Sequence, residues 1–125
     1  MTLVLDADAF LAIERGDREV AALIAYERRD GGVPVTHGGV IGQVWRGGPR
    51  QALVALLVAA VEVAPLDDTL GRRTGALLGR AGTDDVIDAA LVLIAADGDH
   101  ILTSDATDLA ALAAAAGSDV ELIAV

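Results

Sequence analysis

"LVLDADAF", residues 3 to 10, decides how this chain is read. Residues 2–6 read as a short buried strand, its three apolar residues running straight into Asp6, on which it ends. A second aspartate, Asp8, follows two positions later. In open parallel sheets the functional crevice lies outside the carboxyl ends of the strands. An aspartate that ends a strand is therefore placed where chemistry is usually done.

Outward from that stretch, strand-like and helix-like segments alternate. Residues 7–16 read as a helix stopped by Gly16, and 17–32 as an amphipathic helix capped by Asp17. Residues 33–36 read as a strand, 38–48 as a short helix, and 49–60 as a helix with Pro49 in its first turn. A third strand is expected at 61–66 and a helix at 67–82, capped by Asp67 or Asp68. Residues 83–98 read as the best-formed helix, with Thr83 as its cap and Gly98 at its end. A fourth strand at 100–105, a helix at 105–117 and a last strand at 120–125 complete the order. Strands separated by helices imply right-handed crossovers. The expected class is α/β, a three-layer α/β/α sandwich with a short, mainly parallel sheet, in one domain over 1–125.

Composition removes several function classes. The chain has 125 residues, is 54% hydrophobic, and has one Trp, one Tyr and one Phe. Aromatic platforms for single-stranded nucleic acid are therefore nearly excluded. Without cysteine there is no disulfide and no thiolate-bound zinc. Nineteen acids face nine arginines and no lysine, for a net charge of −10. Nucleic acid is not held by bulk electrostatics here; an arginine patch or bound cations must invert the field locally. No basic leader precedes the first strand, and the longest apolar run, 52–61, is too short to span a bilayer. The expectation is a cytoplasmic protein with no membrane segment.

The acids gather at one predicted edge: Asp6 with Asp8, then Asp84, Asp85 and Asp88, then Asp105 with Asp108. Several have an ordinary structural reading. Asp84 and Asp85 lie in a first helical turn, where the dipole favours negative charge. Asp105 and Asp108 have the spacing of a cap and its partner three residues on. Asp88 is different. It opens the apolar stretch "AALVLIAA", where a carboxylate is costly unless paired, and no lysine exists to pair with it. A hard divalent cation, which prefers oxygen ligands, is the simplest partner. Asp85 and Asp88, three apart on a helix, can face one site. His37, in a Gly-rich turn, and His100, at a strand start, are not spaced as a metal pair and read as structural.

The order "LVLDADAFLAIERG", "VTHGGVIGQVWRGG", "DVIDAALVLIAADGDHILTSDATDL" resembles the PIN-domain ribonucleases, and most of all the VapC-type toxins of bacterial toxin–antitoxin pairs. The resemblance implies a Mg²⁺- or Mn²⁺-dependent endoribonuclease, commonly a homodimer, blocked by a partner antitoxin. By motif position, Asp6, Asp88 and Asp105 match catalytic metal-binding acids, and Asp108 matches a further acid that ligates directly or through water. The family's second motif usually carries a glutamate where this chain has Gln43. A neutral oxygen there weakens a second metal, so attenuated activity, or an RNA- or partner-binding module that does not cut, is the alternative. Asp8, Gln43, Asp85, Thr103 and Ser104 are expected around the ligands. Arg15, Arg46 and Arg50 are the expected contacts to RNA phosphate.

A phosphatase of the haloacid-dehalogenase type shares the D-x-D opening, with Asp6 as nucleophile. That chemistry uses a basic residue, usually lysine, to steady the phosphoryl group. The missing lysine counts against it, as it does against receiver-type signalling domains.

Overall fold

Leu3, Val4 and Leu5 form the first strand, β1 (Leu3–Leu5), and none is more than 2% exposed. The computed structural model describes residues 1–125. Five short strands make one parallel sheet: β1, β2 (Val35–His37), β3 (Glu62–Ala64), β4 (His100–Thr103) and β5 (Glu121–Ala124). Their spatial order is β3-β2-β1-β4-β5. The chain runs outward from β1 to β3, then crosses back to β4 on the other side of β1. The reversal falls between β1 and β4, and there the crossovers leave a crevice at the strands' carboxyl ends. The register sets Leu5 against Leu102, so β4 runs one residue further and Thr103 comes beside Asp6.

Seven α-helices cover the sheet: α1 (Ala7–Glu14), α2 (Arg18–Arg29), α3 (Gly38–Val44), α4 (Ala52–Ala60), α5 (Asp68–Ala81), α6 (Val86–Ile94) and α7 (Ala106–Ala116). A 3₁₀ turn at Pro49–Gln51 precedes α4. α1 packs on α2, α3 and α4, while α5, α6 and α7 pack on one another. Right-handed crossovers put these two groups on opposite faces. The three-layer α/β/α sandwich expected from the alternation is what forms.

Several element ends differ from the sequence reading, each for a local reason. The helix expected at 83–98 spans only Val86–Ile94. Its cap is Asp85, whose Oδ1 accepts the Asp88 N–H at 3.0 Å, and not Thr83. Thr83 belongs to the end of α5 instead. Gly82 takes the left-handed conformation (φ 73°), and the Gly82 and Thr83 N–H groups both close on Leu78 O. The helix expected at 38–48 stops at Val44, because Gln51 Oε1 takes the Arg46 and Gly47 N–H groups and its Nε2 donates to Val44 O. The strand expected at 33–36 is shifted to Val35–His37. His37 is its last residue and is fully buried, so it is not a turn histidine.

Phe10, the lone Phe, is wholly buried and sits in the core cluster with Leu5, Leu77, Leu91 and Leu109. At the opposite edge of the sheet from the crevice, buried Glu27 reaches from α2 to β1. Its Oε1 accepts the Leu3 N–H at 2.7 Å, and its Oε2 has no partner. Burial pushes the Glu27 carboxyl up, aided by the charge of Asp99. A raised folded-state value favours the neutral form, so its contribution is present at low pH and fades as pH rises through that value. Glu27→Gln keeps an acceptor without the charge. The variant should gain stability over wild type as pH rises above the ordinary glutamate range, measured as the difference in denaturation midpoint at each pH. A difference that stays constant with pH would show that Glu27 is not carrying a buried charge.

Candidate metal centre

Three elements far apart in sequence bring one carboxylate each to the β1–β4 crevice. Asp6 ends β1, Asp88 lies in the first turn of α6, and Asp105 follows β4. Their ligand oxygens all lie within 4.8 Å of one another. Asp6 is 4% exposed and Asp88 5%, while Asp105 opens to solvent.

Each carboxylate is oriented by its surroundings. Asp6 is the N-cap of α1, with Oδ1 accepting the Ala7 N–H at 2.7 Å. Its Oδ2 accepts from the Thr103 hydroxyl at 2.7 Å. The same hydroxyl oxygen accepts the Asp105 N–H at 2.9 Å, so Thr103, wholly buried, joins the first and third acids. Asp105 sits at the cap position of α7 but makes no side-chain bond to the helix. The capping-box reading of Asp105 with Asp108 therefore fails, and the Asp105 carboxylate is left free to face the crevice. Asp85, by contrast, is a working cap whose bond to the Asp88 N–H fixes the backbone there.

The arrangement is costly without a cation. Desolvation, then repulsion from Asp85, Asp6, Asp105 and Asp108, pushes the Asp88 carboxyl up to about 7. Burial also raises Asp6, despite the bonds from Thr103 and Ala7 that favour its charged form. No arginine relieves this: the one arginine–carboxylate pair is Arg72 with Asp68, on the surface of α5. An all-oxygen set of three acids, two of them buried and none paired with a basic group, suits a hard divalent cation.

The remaining predicted site residues fall around this triad. Asp108 stands outside the close group. It lines an acidic depression with Asp84, Asp85 and Asp88, and a shallow one with Ser104 and Asp105. Asp8 accepts a hydrogen bond from the Ser104 hydroxyl, which ties α1 to the β4–α7 turn. Gln43 is exposed in the last turn of α3. Arg15 follows the C-terminal end of α1, one helix length from Asp6, about 13 Å at 1.5 Å per residue. Arg46 donates to Gly42 O at 3.2 Å and Trp45 O at 2.8 Å, closing the end of α3. Arg50 is exposed in the 3₁₀ turn.

His37 is placed where sequence reasoning did not put it. Its Nδ1 accepts the Gly39 N–H at 3.0 Å, capping α3, and its Nε2 lies 3.0 Å from Ile87 O. A donor N–H at one ring nitrogen and an accepting carbonyl at the other fix the neutral tautomer with the proton on Nε2. Burial holds the imidazole below its ordinary range, which agrees. The available signal was a histidine at a strand end followed by two glycines, a capping position with room cleared beside it.

No family model and no curated protein matches the sequence. The sheet order and helical layers define a PIN-like α/β/α fold. A chain in the crystal structure of VapBC2 from Rickettsia felis, bound to a DNA fragment from their promoter, aligns with a TM-score of 0.72. The alignment covers 98% of this chain and 99% of that one, at 10% identity. At that identity the likeness is one of fold.

The raised value of Asp88 has a stability consequence. In the unfolded chain an aspartate titrates near 3.9. The metal-free fold therefore loses stability as pH rises from about 4 to about 7, by roughly 4 kcal/mol at most at 1.36 kcal/mol per unit. Thermal melts of the metal-free protein should fall over that range, and Mg²⁺ should restore them at pH 8 but not at pH 4. Asp88→Asn should flatten the pH profile and abolish the Mg²⁺ response. A wild-type profile already flat between pH 4 and 7 would contradict the crowding of charge at Asp88.

Proposed function

We propose that this chain is a divalent-metal-dependent endoribonuclease that acts as the toxin of a toxin–antitoxin pair. The observation that carries the reading is the triad Asp6, Asp88 and Asp105, unpaired by any basic group, at the switch point of a PIN-like sheet. The sequence resemblance to VapC-type toxins and the fold shared with a chain of a VapBC2 complex support it.

In this reading Asp6, Asp88 and Asp105 hold Mg²⁺ or Mn²⁺. The bound cation offsets phosphate charge and acidifies water for attack on an RNA phosphodiester. Thr103 favours the charged form of Asp6 and aims it through its hydroxyl bond, and the same oxygen holds the Asp105 backbone. Asp108, at the rim, orders water or ligates, and Asp8 is steadied by Ser104 beside the turn. Asp85 holds the start of α6. Gln43 positions water or metal as a neutral group. Arg15, Arg46 and Arg50, at helix ends outside the acidic crevice, contact phosphates flanking the reacting one. The protein acts in the cytoplasm; no helix is long and apolar enough to cross a membrane.

A protein partner is supported by the groove between α1, α2 and α4. Its lining is apolar except for Arg28, and Leu53 and Leu56 stand 49% and 68% exposed. An antitoxin is the partner this function requires, and a homodimer is the expected assembly of the toxin.

Gln43 favours one alternative, a member that binds RNA or a partner but cuts poorly. Cleavage of a structured RNA in Mn²⁺ by wild type, Asp6→Asn and Gln43→Glu separates the readings. Wild type should cut, chelation should stop it, and Asp6→Asn should lose at least the roughly 10- to 100-fold typical of damage around a metal. Cutting by Gln43→Glu alone would establish the attenuated form. If neither wild type nor Gln43→Glu cuts RNA or binds Mn²⁺, the nuclease reading is wrong.

A further inference from the structure

We propose that His37 is a positioning residue of the metal centre, holding the backbone that aims Asp88 into the crevice. The inference rests on the reading of Asp6, Asp88 and Asp105 as metal ligands.

The argument is one of geometry around a single peptide group. The Ile87–Asp88 peptide offers a carbonyl on one side and an N–H on the other. His37 Nε2 donates to the Ile87 carbonyl at 3.0 Å, and Asp85 Oδ1 accepts the Asp88 N–H at 3.0 Å. Both polar atoms of the plane that leads into the Asp88 Cα are thus held by side chains. One clamp is local, three residues back. The other comes from β2, fifty residues away in sequence. With this peptide held and Asp88 in the helical backbone of α6, the direction of its Cα–Cβ bond is set, and few rotamers of a buried aspartate remain.

The surroundings are shaped for this contact. His37 is fully buried at the end of β2, next in the sheet to β1, which carries Asp6. A Cβ at Gly39 would overlap Ile87 Cδ1 and lie 2.8 Å from His37 Cε1, so glycine leaves the buried imidazole its place beside α6. A capping role alone does not need an imidazole, because Ser, Thr, Asn or Asp caps a helix as well or better. The ring adds reach: one nitrogen caps α3 while the other crosses to α6.

The test uses the full chain, with Mn²⁺ alone as the probe, read by calorimetry or electron paramagnetic resonance. His37→Asn keeps an oxygen that can accept the Gly39 N–H, but its side chain is too short to reach Ile87. His37→Gln keeps an amide nitrogen near the place of Nε2. His37→Asn should weaken Mn²⁺ binding roughly 10-fold, and His37→Gln should recover most of that loss. Wild-type affinity in His37→Asn overturns the inference, and so does an equal loss in both variants. Absence of Mn²⁺ binding by wild type overturns the metal-centre reading itself, and this inference with it. A measurement on wild type needs no variant to fold: imidazole nitrogen shifts in the metal-free protein should report the Nε2–H tautomer with a slowly exchanging proton. The Nδ1–H tautomer, or a rapidly exchanging Nε2 proton, also overturns it.

Discussion

Three carboxylates each bring one oxygen within 4.8 Å of the other two, and the chain has no lysine to neutralise them. This crowding is the constraint on which the rest of the structure depends. Like charges so close raise one another's protonation and strain the fold unless a cation enters. Three separate elements must therefore be held against their mutual repulsion. The sheet does this with β1 and β4, whose side chains, apart from the half-buried His100, are removed from water. Leu3, Leu5, Ile101 and Leu102 belong to the same core cluster as Phe10 and Leu91, so the strands that bear Asp6 and Asp105 and the helix that bears Asp88 share one packed interior. Dense packing of this kind transmits little slack to the crevice.

Hydrogen bonds then divide the acids by task. Asp17, Asp67 and Asp85 spend an oxygen on the N–H groups of a helix start. Asp99 spends both oxygens, on Thr2 N–H and Ala96 N–H, at the far edge of the sheet. Asp105 occupies a cap position yet spends neither on its helix. The difference lies in Thr103, which takes the Asp105 N–H with its own hydroxyl oxygen and donates its proton to Asp6. One buried hydroxyl thus satisfies a backbone group and orients a carboxylate, without adding charge to a site already overfilled with it.

Much of this was legible in sequence because it is local. Alternating apolar strands and amphipathic helices gave the α/β/α class, and the position of Asp6 after three apolar residues gave its place at a strand end. Asp88 stood out because it faces an apolar stretch with no partner in reach. What was not legible is what depends on contacts between distant segments. Strand order decides that β1 and β4 are neighbours, and nothing in "LVLD" or "HILTSD" states it. The Thr103–Asp6 bond spans 97 residues and the His37–Ile87 bond spans 50. The spacing of Asp105 and Asp108 even pointed the wrong way, towards a capping box, because the pattern cannot tell whether another residue has already taken the role. Thr83 misled in the same manner: a good cap by type, it was drawn into the glycine-terminated end of α5, and Asp85 capped α6 in its place.

Under the proposed function, charge balance argues for one tightly held cation. Burial and mutual repulsion raise both Asp88 and Asp6, so the metal-free triad holds its negative charge at a cost that a divalent cation would offset. A single divalent cation held there would offset most of the charge of the three carboxylates. A second would need further anionic ligands, and the motif position that usually supplies one is Gln43, neutral and exposed. Asp108, Asp84 and Asp85 remain nearby, but Asp85 is engaged at the start of α6 and the others stand in solvent, where their field is weakened by water and salt. The substrate phosphate is then the natural source of the missing negative charge. A polyanion approaching so acidic a crevice meets repulsion that a bound cation would relieve.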